Sequence, residues 1–407
     1  MKDGKKTAVP KLRFPEFRNA GSWDQRTLSE LLREQKQRNR DLKFGPGEVL
    51  SVSGDHGCVN QIELLGRSYA GVSVKEYHVV ETGDLVYTKS PLKKNPYGII
   101  KENKGKPGIV STLYAVYRVT ELGHPAYLDH YFSRDYNLNS YLQPIVRKGA
   151  KNDMKVNNAA VLTGEVLAPQ MAEQKKIANC LTSLDELITA QSRKIEALKT
   201  YKRGLMQQLF PRKGATVPRL RFPEFRNGPE WDVQPLCKIA ENLDNKRVPI
   251  TESERTKGSV PYYGASGVVD YVKDYLFDEE LLCVSEDGAN LIARSYPIAF
   301  PITGKTWVNN HSHVLRFKNS ATQKIVQDYL NFIDLQDFIT GMAQPKLNRA
   351  MLDRIPVPLP DVDEGQKLAG FLFSIDSYLV GESNALDALR THKNGLIQQL
   401  FPSLEEA

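Results

Sequence analysis

With 407 residues, 25% of them charged and 41% hydrophobic, the chain is long enough for two or three domains and too apolar for wholesale disorder. Its net charge of +7 and pI near 9.0 lean toward a polyanionic partner without identifying one. No segment approaches the roughly eighteen apolar residues of a membrane span, and Cys58, Cys180, Cys237 and Cys283 are too scattered for a zinc ribbon or a disulfide framework.

The amino terminus, with Lys2, Asp3, Lys5 and Lys6, has no apolar run behind it that would make a signal peptide, so a cytoplasmic protein with reduced thiols is expected. The segment Val9-Pro-Lys-Leu-Arg-Phe-Pro-Glu-Phe-Arg-Asn19 follows, and it recurs as Val217-Pro-Arg-Leu-Arg-Phe-Pro-Glu-Phe-Arg-Asn227 at an offset of 208. Its prolines forbid a regular helix or central strand, which predicts an extended arm packed through Leu12, Phe14 and Phe17, and through Leu220, Phe222 and Phe225. Such an arm most simply pins each half to a neighbouring helix.

Between about 25 and 160 come short β-type runs, Glu48–Ser53, Asp84–Thr88, Gly98–Ile100, Ile109–Val110 and Tyr114–Val119, then helical patterns near 126–142. From Ile177 the apolar residues Ile177, Leu181, Leu184, Ile188, Ile195, Leu198, Leu205 and Leu209 form a heptad seam with polar interruptions at Gln191 and Lys202. Adding 191 to each number gives Leu368, Leu372, Ile375, Leu379, Leu386, Leu389, Leu396 and Leu400, with Glu382 and Lys393 as the interruptions. Each copy ends alike, Gly204-Leu-Met-Gln-Gln-Leu-Phe-Pro211 and Gly395-Leu-Ile-Gln-Gln-Leu-Phe-Pro402. A seam this long spans on the order of 50 Å, which suits a spacer with a partner helix better than the core of a small domain. Gly204 and Gly395 suggest either an interruption of the helix or the close approach of another backbone. The second middle, about 233–350, repeats the plan with runs at Tyr262–Gly267, Leu281–Ser285, Ile298–Phe300 and His313–Phe317 and a helix near 322–339. Gly105-Lys106 with Ile109 and Val116 aligns faintly with Gly304-Lys305, Val308 and Leu315, so the two middles are expected to share one fold with different loops.

The expected fold class is therefore α+β, a pseudo-twofold internal repeat. Its boundaries are 1–165 for the first arm and middle, 166–212 for the central long helix, 213–358 for the second arm and middle, and 359–407 for the last long helix.

No catalytic signature emerges. Asn95-Pro-Tyr97 lacks the second proline and the glycine-rich cofactor loop of an N-P-P-Y methyltransferase, and no P-loop is present. His311 and His313 have metal-ligand spacing but no identifiable carboxylate or cysteine partner, and Glu286-Asp287-Gly288 reads as a turn. Basic and amide residues are more informative. Lys89, Lys93, Lys94, Lys101, Lys104 and Lys106, with Tyr97 between them, form one group; Arg147, Lys148, Lys151 and Lys155 form another. In the second middle Ser266, Asn290, Arg294, Lys305, Trp307, Asn309, Asn310, His311 and His313, with Lys346, are donor-rich on Gly-punctuated loops, as phosphate and base-edge contacts require.

The doubled Leu-Arg-Phe-Pro-Glu-Phe arm, the doubled Gly-Leu-[Met/Ile]-Gln-Gln-Leu-Phe terminus and the helix start Glu173-Gln-Lys-Lys-Ile-Ala178 resemble those of the specificity (S) subunits of type I DNA restriction–modification enzymes, over essentially the whole chain. The second helix start, Glu364-Gly-Gln-Lys-Leu-Ala369, has Gly where the family usually carries Gln. The resemblance implies two target recognition domains, each reading half of a split, asymmetric sequence in double-stranded DNA. It implies that the long helices pair as an antiparallel coiled coil and dock two methyltransferase (M) subunits, with restriction (R) motor-nuclease subunits completing the assembly. This chain would then be a non-catalytic subunit without a cofactor of its own, S-adenosylmethionine being expected on the M subunits. The competing readings are a metal-dependent nuclease using His311 and His313, and an RNA-binding or scaffold module.

Overall fold

The structure is a computed structural model that describes residues 7–54, 56–148, 154–341 and 343–402. The chain divides into two compact units: Met1–Ser192 with Ala385–Ala407, and Arg193–Asn384.

In the first unit an antiparallel sheet runs in the spatial order Leu32–Gln35, Tyr114–Val119, Leu85–Thr88, Ile99–Glu102. In the second unit the order is Ala240–Asn242, Ser312–Phe317, Leu281–Ser285, Ala299–Ile302, the same first-fourth-second-third sequence of strands. The central strands Leu85–Thr88 and Leu281–Ser285 are buried along their whole length because both sheet faces are covered. Side chains alternate between those covers. Leu85 and Tyr87 join a core with Tyr127 and Leu128 of the helix Pro125–Ser133, while Val86 turns toward Leu50, Cys58 and Val110. Leu282 and Val284 likewise meet Val326 and Leu330 of the helix Ser320–Phe332, and Leu281 and Cys283 meet Phe277 and Val308.

The second cover is also built alike. In the second unit the order is Gly267–Val272, Lys257–Gly264, Lys305–Val308, Phe277–Asp278, with Lys257–Gly264 and Lys305–Val308 parallel. In the first unit the hairpin Leu50–Ser53/Gly57–Asn60 and the pair His78–Val80/Gly108–Val110 are linked by a single parallel bridge, Val49 to Ile109. The run Tyr262–Gly267, expected as one strand, instead holds a hairpin turn: Gly264 ends one strand and Gly267, at φ +109°, begins the next.

The long helices are Met171–Leu209 and Val362–Leu400, 39 residues and about 58 Å each. All sixteen residues of the two apolar seams are buried or half-buried. Within the second unit Lys194 pairs with Glu382 and Lys202 with Asp376, so the two helix segments run antiparallel there. Within the first unit Asp185 accepts from Lys393, the counterpart of the Asp376–Lys202 contact. Three of the four polar seam positions, Lys202, Glu382 and Lys393, thus serve ion pairs. Gly204 and Gly395 neither interrupt the helices nor admit another backbone, since a Cβ on either would meet nothing within 4 Å.

The arms are not wholly extended. Pro15–Phe17 and Pro223–Phe225 each close one 3-10 turn, because Pro at the first position of a turn lacks only an N–H that would have no partner there. Leu12 and Leu220 are exposed, contrary to expectation, and it is their backbone that docks: Leu12 N–H donates to Gln399 O (3.1 Å) and Leu220 N–H to Gln208 O (2.9 Å). The carbonyls of Gln208 and Gln399, in the last turns of the helices where helical partners run out, thereby accept from the arms. Phe401 packs 5.4 Å from Tyr127 and 6.5 Å from Trp23, and Phe210 packs 6.0 Å from Trp231.

Candidate nucleic-acid interface

In the second unit, four segments distant in sequence meet at one end. Ser285 Oγ donates to Ala265 O (2.6 Å) and Ser312 Oγ to Gly264 O (2.8 Å), holding the hairpin turn over the ends of the neighbouring strands. Glu286 N–H donates to His311 O (2.9 Å), Leu347 N–H to Glu286 O (2.8 Å) and Gly288 N–H to Pro345 O (3.1 Å). Ser266 Oγ lies 3.0 Å from Tyr296 Oη. The surface so formed carries Ser266, Asn310, His311 and Lys346 from the expected set, all exposed. Asp287, Tyr296 and Gln344 join them unforeseen.

Beneath this surface lies a buried charge network. The Arg247 guanidinium donates to Glu286 Oε2 (2.7 Å), Ser312 O (2.7 Å) and Asn310 O (3.4 Å), and lies 3.3 Å from Asp244. His313 sits between Asp244 Oδ2 (2.5 Å) and Leu347 O (2.7 Å), two acceptors that the ring can serve together only with a hydrogen on each nitrogen. Burial by itself would raise the Asp244 and Glu286 carboxyls. The hydrogen bond from His313 to Asp244, and that from Arg247 to Glu286, instead hold both below the usual carboxylate range.

The expected residues therefore separate by role. His313 is fully buried and anchors the network rather than facing a ligand. Buried Asn290 donates its amide to Tyr296 O (2.9 Å), and Arg294 is committed to Leu291 O, Leu330 O and Ile333 O, each at 3.1 Å. Buried Asn309 receives His311 N–H on Oδ1 (2.8 Å). Trp307 Nε1 donates to Val248 O (2.7 Å), and Lys305 lies over the Tyr275 ring at the start of a strand that reaches the surface only after Val308. His313, Asn290, Arg294, Asn309 and Trp307 therefore form scaffold, each tied to a protein partner, whereas Lys305 stays exposed beside its ring. His311 and His313 are tied to different carboxylates. His311 Nδ1 lies 2.8 Å from Asp287 Oδ2, whereas Asp244, Glu286 and His313 converge within 4.8 Å around charge that Arg247 already balances.

In the first unit the lysine group does not stay together. Lys89, Lys93 and Lys94 lie in the loop after Leu85–Thr88, while Lys104 and Lys106 lie past the far end of the antiparallel strand Ile99–Glu102, about 13 Å of strand away, with Lys101 on that strand. Lys104 pairs with buried Asp129 at 2.7 Å. Lys93 and Lys94 are exposed, whereas Tyr97 packs against the core and its carbonyl accepts from Tyr87 Oη. Burial lowers the Lys89 ammonium from its ordinary value. Arg147–Lys148 pairs with Met154–Lys155 as a short hairpin, in the chain position that the Thr340–Lys346 bridge has in the second unit; Lys151 falls outside the described residues.

Residues 229–386 match the family model for the type I restriction modification DNA specificity domain. Over that stretch and beyond it the chain is similar to type I specificity subunits. A type I restriction enzyme specificity subunit of Haemophilus influenzae is 35% identical over 133 residues, 33% of this chain and 34% of that protein. The MjaVIII specificity subunit of Methanocaldococcus jannaschii is 25% identical over 239 residues, 52% of this chain and 55% of that protein. The match thus spans about a third of the first relative and about half of the second. Among solved structures, the S subunit of a type I restriction–modification system from M. genitalium superposes with a TM-score of 0.61 at 14% identity, over 97% of this chain and 100% of that one. A chain from a study of assembly and conformational transition of the type I system gives 0.53 at 14%, over 94% and 98%. At such identities the likeness of this chain to these neighbours is one of fold.

Proposed function

We propose that this chain is a type I specificity subunit that reads a bipartite, asymmetric sequence in double-stranded DNA, one half with each unit. The observation that carries the reading is that the two units share strand order, arm and helix clamp yet differ in the loops presented at the corresponding end. A fixed frame with variable loops is what two independent readers of different half-sites require. The first unit brings exposed Lys93 and Lys94, suited to phosphate; the second brings Ser266, Asn310, His311 and Gln344, suited to base edges.

Paired helices of about 58 Å make a stiff spacer, and a major-groove reader must set its contacts about one helical turn, ~34 Å, or a multiple apart. The same helices dock two M subunits, which bring S-adenosylmethionine and the methyl-transfer residues, and R subunits supply cleavage. This chain contributes recognition alone, in the cytoplasm. Copurification with an M subunit followed by mapping of modified bases tests the proposal: a split motif with a constant gap is expected, and one heptad inserted into both helices lengthens that gap. An unchanged gap, equal binding of RNA and duplex DNA, or metal-dependent cleavage by the isolated chain would overturn it.

A further inference from the structure

His311 is held on both sides of its backbone, its N–H by Asn309 Oδ1 (2.8 Å) and its carbonyl by Glu286 N–H (2.9 Å), while 53% of its side chain remains exposed. Its ring is also fixed. Nδ1 lies 2.8 Å from Asp287 Oδ2, and Asp287 is itself held by the backbone bridge to Lys346. A carboxylate only accepts, so Nδ1 must carry the hydrogen. In the neutral ring this leaves Nε2 as a bare acceptor, and Nε2 has no partner among the described residues. In the major groove, hydrogen-bond donors are confined to the exocyclic amines, N6 of adenine and N4 of cytosine; guanine and thymine present acceptors at the corresponding positions.

We infer that His311 is a specificity-determining residue of the second unit that accepts a hydrogen bond from an adenine or cytosine amine, with Asp287 as the positioning residue that selects the accepting tautomer. The inference rests on the DNA-recognition reading above and adds the class of base. The acid is essential to it: without Asp287 the ring could place its hydrogen on Nε2 and donate to guanine or thymine.

Selection from randomised duplexes with the full chain in complex with its M subunit tests this. The wild type is expected to show one position, in the half of the target that changes when the second unit's loops are exchanged, that excludes guanine and thymine by about 5- to 150-fold, the range of a good base contact. His311→Ala should remove that preference, and Asp287→Asn, whose side-chain amide can donate as well as accept, should admit guanine or thymine there. The other half-site stays unchanged in both variants and reports intact folding and assembly. The inference is overturned if both variants keep the wild-type motif, or if no position of that half-site favours adenine or cytosine; the recognition reading then survives, because a split motif is still selected. A wild type that selects no motif would sink both.

Discussion

Arg221 and Glu364 form a bidentate ion pair, Nε to Oε1 at 2.7 Å and Nη2 to Oε2 at 2.6 Å, between side chains only 5% and 2% exposed. Trp231 Nε1 donates to the same carboxylate at 3.1 Å. The pair fastens the second arm to the start of the second long helix, and Arg13 with Glu173 repeats it in the first unit at 2.8 and 2.7 Å. Removing one partner leaves a buried charge uncompensated, so Glu364→Ala should cost about 3–5 kcal/mol in the second unit, read by chemical denaturation. Arg13→Ala should cost a similar amount in the first unit.

The two helix glycines carry a cost without a steric duty. Gly204→Ala and Gly395→Ala should each stabilise the protein by about 0.5–1 kcal/mol, because nothing lies within 4 Å of the added methyl. A rise of the thermal midpoint in the double variant checks this; a fall would mean that the glycines serve an interface.

The split lysine group predicts two phenotypes. Lys93→Ala with Lys94→Ala should weaken binding to all sequences and shallow the dependence of log K on log salt by about 0.9 for each phosphate no longer neutralised. Lys104→Ala should leave that slope unchanged and instead cost about 1–2 kcal/mol of stability, because it strands buried Asp129 while being itself half-exposed. Titrations at two salt concentrations, alongside melting curves, separate the two.

Adjacent asparagines should differ in the same way. Asn310→Ala should relax base choice at one position by about 1–3 kcal/mol with an unchanged melting point. Asn309→Ala removes the acceptor of His311 N–H from a buried site and should cost about 1–3 kcal/mol of stability in the second unit.

Glu102 offers a pH test. Burial first, and the Asp129 charge second, push its carboxyl up to about 7, and its Oε2 is buried without a hydrogen-bond partner. A carboxyl whose folded value is raised binds its proton more tightly in the folded state, so stability falls as pH rises from the ordinary carboxylate range through about 7. Glu102→Gln should therefore stabilise the first unit at pH 8 by roughly 1–2 kcal/mol, discounted for partial exposure, and much less at pH 4.5. Denaturation curves at the two pH values check the difference.

Local and repetitive features were legible from the amino-acid sequence by itself. The duplicated arm, both heptad seams, the strand Tyr114–Val119 and the common plan of the two middles rest on spacings of a few residues or on direct repetition, which the chain displays without being folded. Tertiary structure alone decided which polar residues share a surface. Whether a lysine faces water or a carboxylate depends on the strand opposite, so the antiparallel turn between Leu85–Thr88 and Ile99–Glu102 sent one run of lysines to opposite ends. Arg247 organises loops 39 to 65 residues away, and no spacing rule reaches that far. The carboxylate partners of His311 and His313 were likewise hidden, since Asp287 and Asp244 meet them only once the sheet has formed.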